Sequence, residues 1–127
     1  MPSNNKIQSD IALDIPPIQI RAAELADYTV AFETHREDMD PAPLFAGLPD
    51  DRCQCPHWGY VTAGAITFHY PDHDETYSAG DAYYAPPGHT PQLHAGTEIV
   101  EFSPTVELAK TSAVIEANMA AMEGASS

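Results

Sequence analysis

Positive charge is what this chain lacks most: five Lys and Arg stand against nineteen Asp and Glu in 127 residues, a formal net charge of −14. No basic stripe interrupts that excess, so a phosphate backbone or an anionic membrane surface would be repelled. Nucleic acid and membranes are therefore excluded as expected partners. Cysteine is nearly absent as well, with only Cys53 and Cys55, one residue apart. A disulfide between them would close a small, strained ring, so free thiols or metal thiolates in a reducing compartment are expected. Long apolar runs are missing too: none approaches the roughly 20 residues that span a bilayer. The start MPSNNKIQSD lacks the basic, apolar and small-residue order of a secretory signal, and the expected location is cytoplasmic.

What is present is strand rhythm with turn punctuation, on a length that suits one domain. Residues 1–14 read as a loose polar arm. From Ile15 the sequence turns strand-like around Pro17 to Ile20 and again over Tyr28 to Phe32, where Tyr28, Val30 and Phe32 share one face by period-two alternation. Three prolines and a glycine between Met39 and Asp50 deny that stretch regular dihedrals and ladder donors. It reads as a loop able to pack Leu44 and Phe45 over an opening. Short strands then recur over His57 to Val61, Ala65 to Tyr70, Glu75 to Ser78, Ala82 to Ala85 and Thr97 to Phe102, separated by Pro, Gly and Asp. That spacing predicts an all-β antiparallel sandwich or barrel over residues 15–104.

After Ser103-Pro104 the composition shifts to Ala, Glu and Met, which predicts a C-terminal helix over 105–123. Leu108, Ile115, Met119 and Met122 share one of its faces. Ser103 is read as its cap, Pro104 as its first position and Gly124 as its end. The apolar face is expected against the outside of the barrel or against a second subunit.

The segment from Asp51 to Pro91 resembles the two motifs of the cupin superfamily. The first motif falls on Asp51, Cys53, His57 and Gly64; the second begins at Gly80 and continues to Pro86 and Gly88, with fifteen residues between Gly64 and Gly80. The resemblance implies a double-stranded β-barrel of the jelly-roll type. It also implies that the positions family members use for metal ligands are Asp51, Cys53, His57 and Pro91. Proline offers no side-chain donor. His89, two residues earlier, shares the parity of position 91, and Cys55 shares the parity of Cys53 and His57, so the candidate metal set is Cys53, Cys55, His57 and His89.

Thiolates with imidazoles suit Zn, Fe or Cu rather than Mg or Ca, because soft donors prefer borderline metals. Four protein ligands would close a structural site, and three would leave a catalytic position open. Without metal, the cysteines are small buried hydrophobes or half of a Cys-His nucleophile. Trp58, Tyr60, Tyr83, Tyr84, Phe68 and Tyr70 read either as sandwich core or as the walls of a pocket. His69 and His73 flank an acidic hairpin that reads as a solvated turn.

Two functions follow. One is a metal-dependent enzyme of isomerase, lyase or oxygenase type acting on a small, neutral or cationic organic molecule. The other is a non-catalytic cupin that binds a small ligand, or acts as a sensor, with a structural metal or none. Many cupins pair, and a homodimer is the oligomer that the resemblance implies.

Overall fold

The computed structural model describes residues 3–126, with side chains to Glu123. Among the described residues the chain forms nine strands and one long helix: β1 Asp10–Ile15, β2 Ile18–Leu25, β3 Tyr28–His35, β4 His57–Ala63, β5 Ala65–His69, β6 Asp74–Ser78, β7 Ala82–Ala85, β8 Thr90–Gln92, β9 Thr97–Pro104 and α1 Thr105–Ser126. Six strands form one antiparallel sheet in the order β1-β2-β3-β9-β4-β7, and three form a second in the order β6-β5-β8. Neither sheet closes on itself, and the two pack together as a jelly-roll β-barrel of the expected class.

Between the sheets lies an apolar cluster of Val61, Ile66, Phe68, Tyr83, Ala85 and Ile99, contributed by four strands from both layers. Alternation supplies it: Ile66 and Phe68 are two apart on β5, and Tyr83 and Ala85 are two apart on β7. Gly59 lies opposite Tyr83 in the ladder, and a Cβ there would collide with the Tyr83 ring. Glycine at 59 is thus what admits the tyrosine. Gly64 has φ +73° and its missing Cβ would lie 2.5 Å from Thr97 Oγ1, so the hairpin between β4 and β5 needs a residue with no side chain.

Three local expectations change. Residues 10–14, read as the end of a loose arm, belong to β1 and pair with β2. Ser103 does not cap the helix: β9 runs on through Pro104, which pairs with Tyr28 of β3, and the helix begins at Thr105. Pairing across the sheet overrides the local Ser-Pro signal. Gly124 does not end the helix either, since α1 continues to Ser126.

The 39–56 segment contains two short 3₁₀ turns, Ala42–Phe45 and Pro49–Asp51. Phe45 from the first is buried with Cys53 and Cys55, and Leu44, Leu48, Leu108 and Ile115 pack against them. Helix α1 therefore lies across its own chain's loop. Asn118 fastens the two, donating from Nδ2 to the Leu44 carbonyl at 2.7 Å and to the Ala46 carbonyl at 2.9 Å. Met122, grouped with the packing face by sequence, is exposed. No helix among the described residues is long and apolar enough to cross a membrane.

Candidate metal centre

The site forms where the 53–57 segment crosses the end of the turn before β8. Residues 51–56 are not a continuous strand, so the parity expected from Asp51 to His57 does not place these side chains. A single antiparallel bridge does so instead: Cys53 pairs with His89, its N–H donating to the His89 carbonyl at 2.8 Å, while Gly88 N–H donates to the Cys53 carbonyl at 2.8 Å. Gly88, at φ +98°, provides the turn that delivers His89. His57 then enters as the first residue of β4.

Cys53, His57 and His89 are all buried and offer ligand atoms within 4.8 Å of one another, the sole such group of three among the described residues. Cys53 Sγ lies 3.7 Å from His57 Nε2. Both rings are held from behind. His57 Nδ1 lies 2.6 Å from Ser103 Oγ, and His89 Nδ1 donates to the Pro86 carbonyl at 2.7 Å. Occupying Nδ1 in this way leaves Nε2 as the free donor, the orientation that ligating imidazoles need. A soft thiolate beside two such imidazoles fits zinc, iron or copper chemistry, so this donor set suits the implied metal.

Cys55 does not join the three. It is 1% exposed, and its Sγ lies 3.4 Å from the Pro56 carbonyl under Phe45. Asp51 ends a 3₁₀ turn, where its carboxylate accepts from Gly47 N–H. Pro91 lines the cavity beside the site, and His69 and His73 pair with Asp74 and Asp72 on the exposed hairpin.

Three further residues belong to the site, and of these only Tyr83 stood out in the sequence, as an aromatic of core or pocket wall. Glu101 is 6% exposed, with a carboxylate oxygen 3.7 Å from His57 Nδ1. Tyr83 donates its hydroxyl to that carboxylate at 2.5 Å. Thr111, from α1, lies 3.7 Å from Cys53 Sγ through its hydroxyl. Glu101 is legible in principle, because Thr97, Ile99, Glu101 and Ser103 alternate inward along β9. Thr111 carries no such signal, since its approach depends on where the helix docks.

The electrostatics follow from burial and proximity. Burial pushes the Cys53 thiol up, but hydrogen bonds and attraction from His57 and His89 outweigh it and hold the group at about 5. Burial pulls His57 down, yet the Glu101 carboxylate and the neighbouring sulfurs raise it well above the ordinary histidine range. Burial pushes Glu101 up, opposed by His57 and reinforced by Glu33. Proximity thus favours the thiolate at Cys53 and the protonated ring at His57, with Glu101 behind that ring.

A cavity of about 290 Å³ opens from these residues toward β1, β2 and α1. Its walls are mostly apolar, with aliphatic side chains such as Leu13, Ile20, Ile115 and Met119 beside Phe45 and Phe68, and with Glu33, Glu101 and Glu116 also lining it. The aromatics read as core or pocket wall divide between the core and the exposed face. Phe68 and Tyr83 are core, whereas Trp58, Tyr60 and Tyr84 are exposed on the far side of the sheet.

No family model matches the sequence, and no curated protein matches it either. Solved structures do match. An RmlC-like cupin from Shewanella frigidimarina aligns over 80% of this chain and 88% of its own, at 13% identity and a TM-score of 0.54. KdgF from Halomonas sp. aligns over 79% and 90%, at 19% identity and a TM-score of 0.51. A single-substitution variant of oxalate decarboxylase from B. subtilis aligns over 78% of this chain but 28% of its own, at 14% identity and a TM-score of 0.52. Strand order, motif glycines and these structural likenesses agree that the chain has the cupin fold.

Proposed function

We propose that this protein is a small metal-binding cupin in which Cys53, His57 and His89 hold one divalent transition metal beside a cavity for a small organic molecule. The observation that supports this best is the convergence of three buried soft donors whose rings are both engaged at Nδ1. Three protein donors is the number that leaves a tetrahedral metal an open position, which favours the enzyme reading over a closed structural site. A metal there would supply Lewis-acid polarisation. The chain's own residues would do the rest. Ser103 and Glu101 orient His57, Tyr83 holds the Glu101 carboxylate, and Leu44, Phe45 and α1 exclude water. Isomerase, lyase and oxygenase chemistry all suit this frame.

The second reading, a ligand-binding or sensor cupin, is favoured by Cys55, a second buried thiol close to the centre whose Sγ lies 3.4 Å from the Pro56 carbonyl. Both readings place the protein in a reducing, cytoplasmic setting as a homodimer, which sedimentation of the purified protein checks.

Metal analysis of protein purified without added metal tests the main proposal. About one zinc, iron or copper per chain is expected in the wild type, and a negligible amount in Cys53→Ala and His57→Ala. Equal, negligible content in all three would overturn it.

A further inference from the structure

On an acidic chain, the outer face of the six-stranded sheet is a neutral surface. Its outward strand positions hold two acids, Asp14 and Glu98, which the ladder sets in one row with Gln19 and Thr34. Each is neutralised where it stands: Arg36 meets Asp14 at 2.8 Å, and Lys6, from the arm before β1, meets Glu98 at 2.9 Å. Arg21, paired with Phe32 in the adjoining row, adds a third cation. Three of the chain's five cationic residues thus stand on this face. The other two, Arg52 and Lys110, share the rest of the molecule with seventeen of the nineteen acids.

Away from these pairs the face turns apolar. Trp58 stands at the centre, with Tyr28 and Tyr84 beside it at ring centroids of 6.0 and 5.1 Å and Phe102 opposite it in the ladder. All four are 41–47% exposed. At roughly 200 Å² for a whole aromatic side chain, that exposure leaves on the order of 340 Å² of ring surface in water, a size at which an apolar patch marks a contact. It is a little under half of the ~800 Å² that each partner gives to a stable interface, whose core is aromatic and poor in charge and whose remainder is a polar rim. Tyr60, two residues along β4 toward the Lys6–Glu98 pair, belongs to that rim, where truncation costs little. The arm before β1 reaches the face at Lys6, which also meets Thr34, and leaves the four rings uncovered.

We propose that this aromatic face is where a second copy of the chain docks, the two faces stacked about a two-fold axis near Trp58. Charge selects the partner. Two chains of net charge −14 repel one another over most of their surfaces, and the neutral face is where they approach without that cost. A basic protein would instead be drawn to the acidic remainder. In an isologous contact the same patch meets itself, so neutral surface faces neutral surface and ring faces ring. This contact rests on the homodimer reading given above and is independent of the metal.

Trp58 is the one tryptophan in the chain, so its fluorescence reports on this face without any substitution. Full-length protein is diluted from micromolar to nanomolar concentration while sedimentation follows its mass and acrylamide quenching follows Trp58. The dimer is expected to dissociate by mass action, with quenching rising at least ~twofold through the same midpoint. Raising the salt concentration should tighten pairing, because screening removes the repulsion between acidic copies. Weakening with salt would mean an interface built on ion pairs and would overturn the proposal. Tyr84→Glu and Phe102→Glu, on different strands, each bring like charges face to face and should weaken pairing at least ~100-fold, with the far-ultraviolet circular dichroism unchanged. If the wild type stays paired at every dilution, these monomeric variants supply the exposed reference for Trp58. A dimer whose Trp58 is as open to acrylamide as in the monomer, or a folded variant that still pairs, would overturn the surface and leave the homodimer standing. A wild type that is monomeric throughout removes both.

Discussion

The inner face of the six-stranded sheet is apolar at Val61, Tyr83, Ala85 and Ile99 but polar beside the site, whereas its outer face is rich in exposed aromatics. Its inner face carries Glu33, His35, His57, Glu101 and Ser103, four of them buried outright, while its outer face exposes Tyr28, Trp58, Tyr60, Tyr84 and Phe102. An ordinary half-buried sheet places its apolar residues inside. The outer aromatics satisfy one another: Trp58 lies between Tyr28 and Tyr84, with ring centroids 6.0 and 5.1 Å away, and pairs with Phe102 across the ladder. The inner groups form a chain of contacts from Tyr83 through Glu101 and His57 to Ser103. Burying polar groups is costly unless each has a partner, so a connected polar row inside a barrel points to chemistry rather than stability.

If that division is right, changes to the inner face should act on the metal, and changes to the outer face should not. The largest effect expected is that of pH. Cys53, at about 5, is already a thiolate at neutral pH, so the proton that metal must displace sits on His57, whose pKa is raised. Metal affinity should therefore rise by about tenfold per pH unit from about pH 6 upward, until the raised His57 value is passed. Acidification should release the metal. Competition with a chromophoric chelator across this range reads the slope, and a flat profile would break the assignment of His57 as a protonated ligand.

Next in size is Ser103→Ala. Removing the hydroxyl 2.6 Å behind His57 should lower metal affinity by about 10- to 100-fold without unfolding the barrel, as loss of a partner behind a ligating ring does. Metal titration beside a thermal melt separates the two effects.

The last pair compares the faces directly. Tyr83→Phe removes the donor to a buried carboxylate and should destabilise the fold by about 1–3 kcal/mol. Tyr60→Ser, on the exposed face, should change stability by no more than about 0.5 kcal/mol and leave metal content unchanged. Urea unfolding of both variants makes the measurement. A larger loss for Tyr60 than for Tyr83 would erase the distinction between the faces.

Much of the barrel is legible because strands leave a period-two mark and their turns need particular residues. Six of the nine strands match stretches whose alternation and flanking Gly, Pro or Asp announce them, from β3 at Tyr28 to β9 at Thr97. Strand β2 shows only at its start. Strands β1 and β8 escape for different reasons: β1 is an edge strand with Ile11 exposed, and β8 is three residues long with Pro91 at its centre. The site is legible in part. Cys53, His57 and His89 follow from motif and parity, although through a strand that does not exist between 51 and 56. Glu101 and Thr111 do not. Among the aromatics the core reading holds for Phe68 and Tyr83 and fails for Trp58 and Tyr84, because alternation says which residues share a face and not which face is inside.

By itself the sequence determined the class of fold, the turn positions and the residues able to bind a soft metal, because each depends on local geometry or on side-chain chemistry. Only the tertiary structure decided which of those residues meet. The bridge between Cys53 and His89 brings together positions 36 apart in the chain, and the docking of α1 brings Thr111 to Cys53 and closes the cavity. Contacts of that kind depend on how the sheets and the helix pack together, which no local pattern encodes.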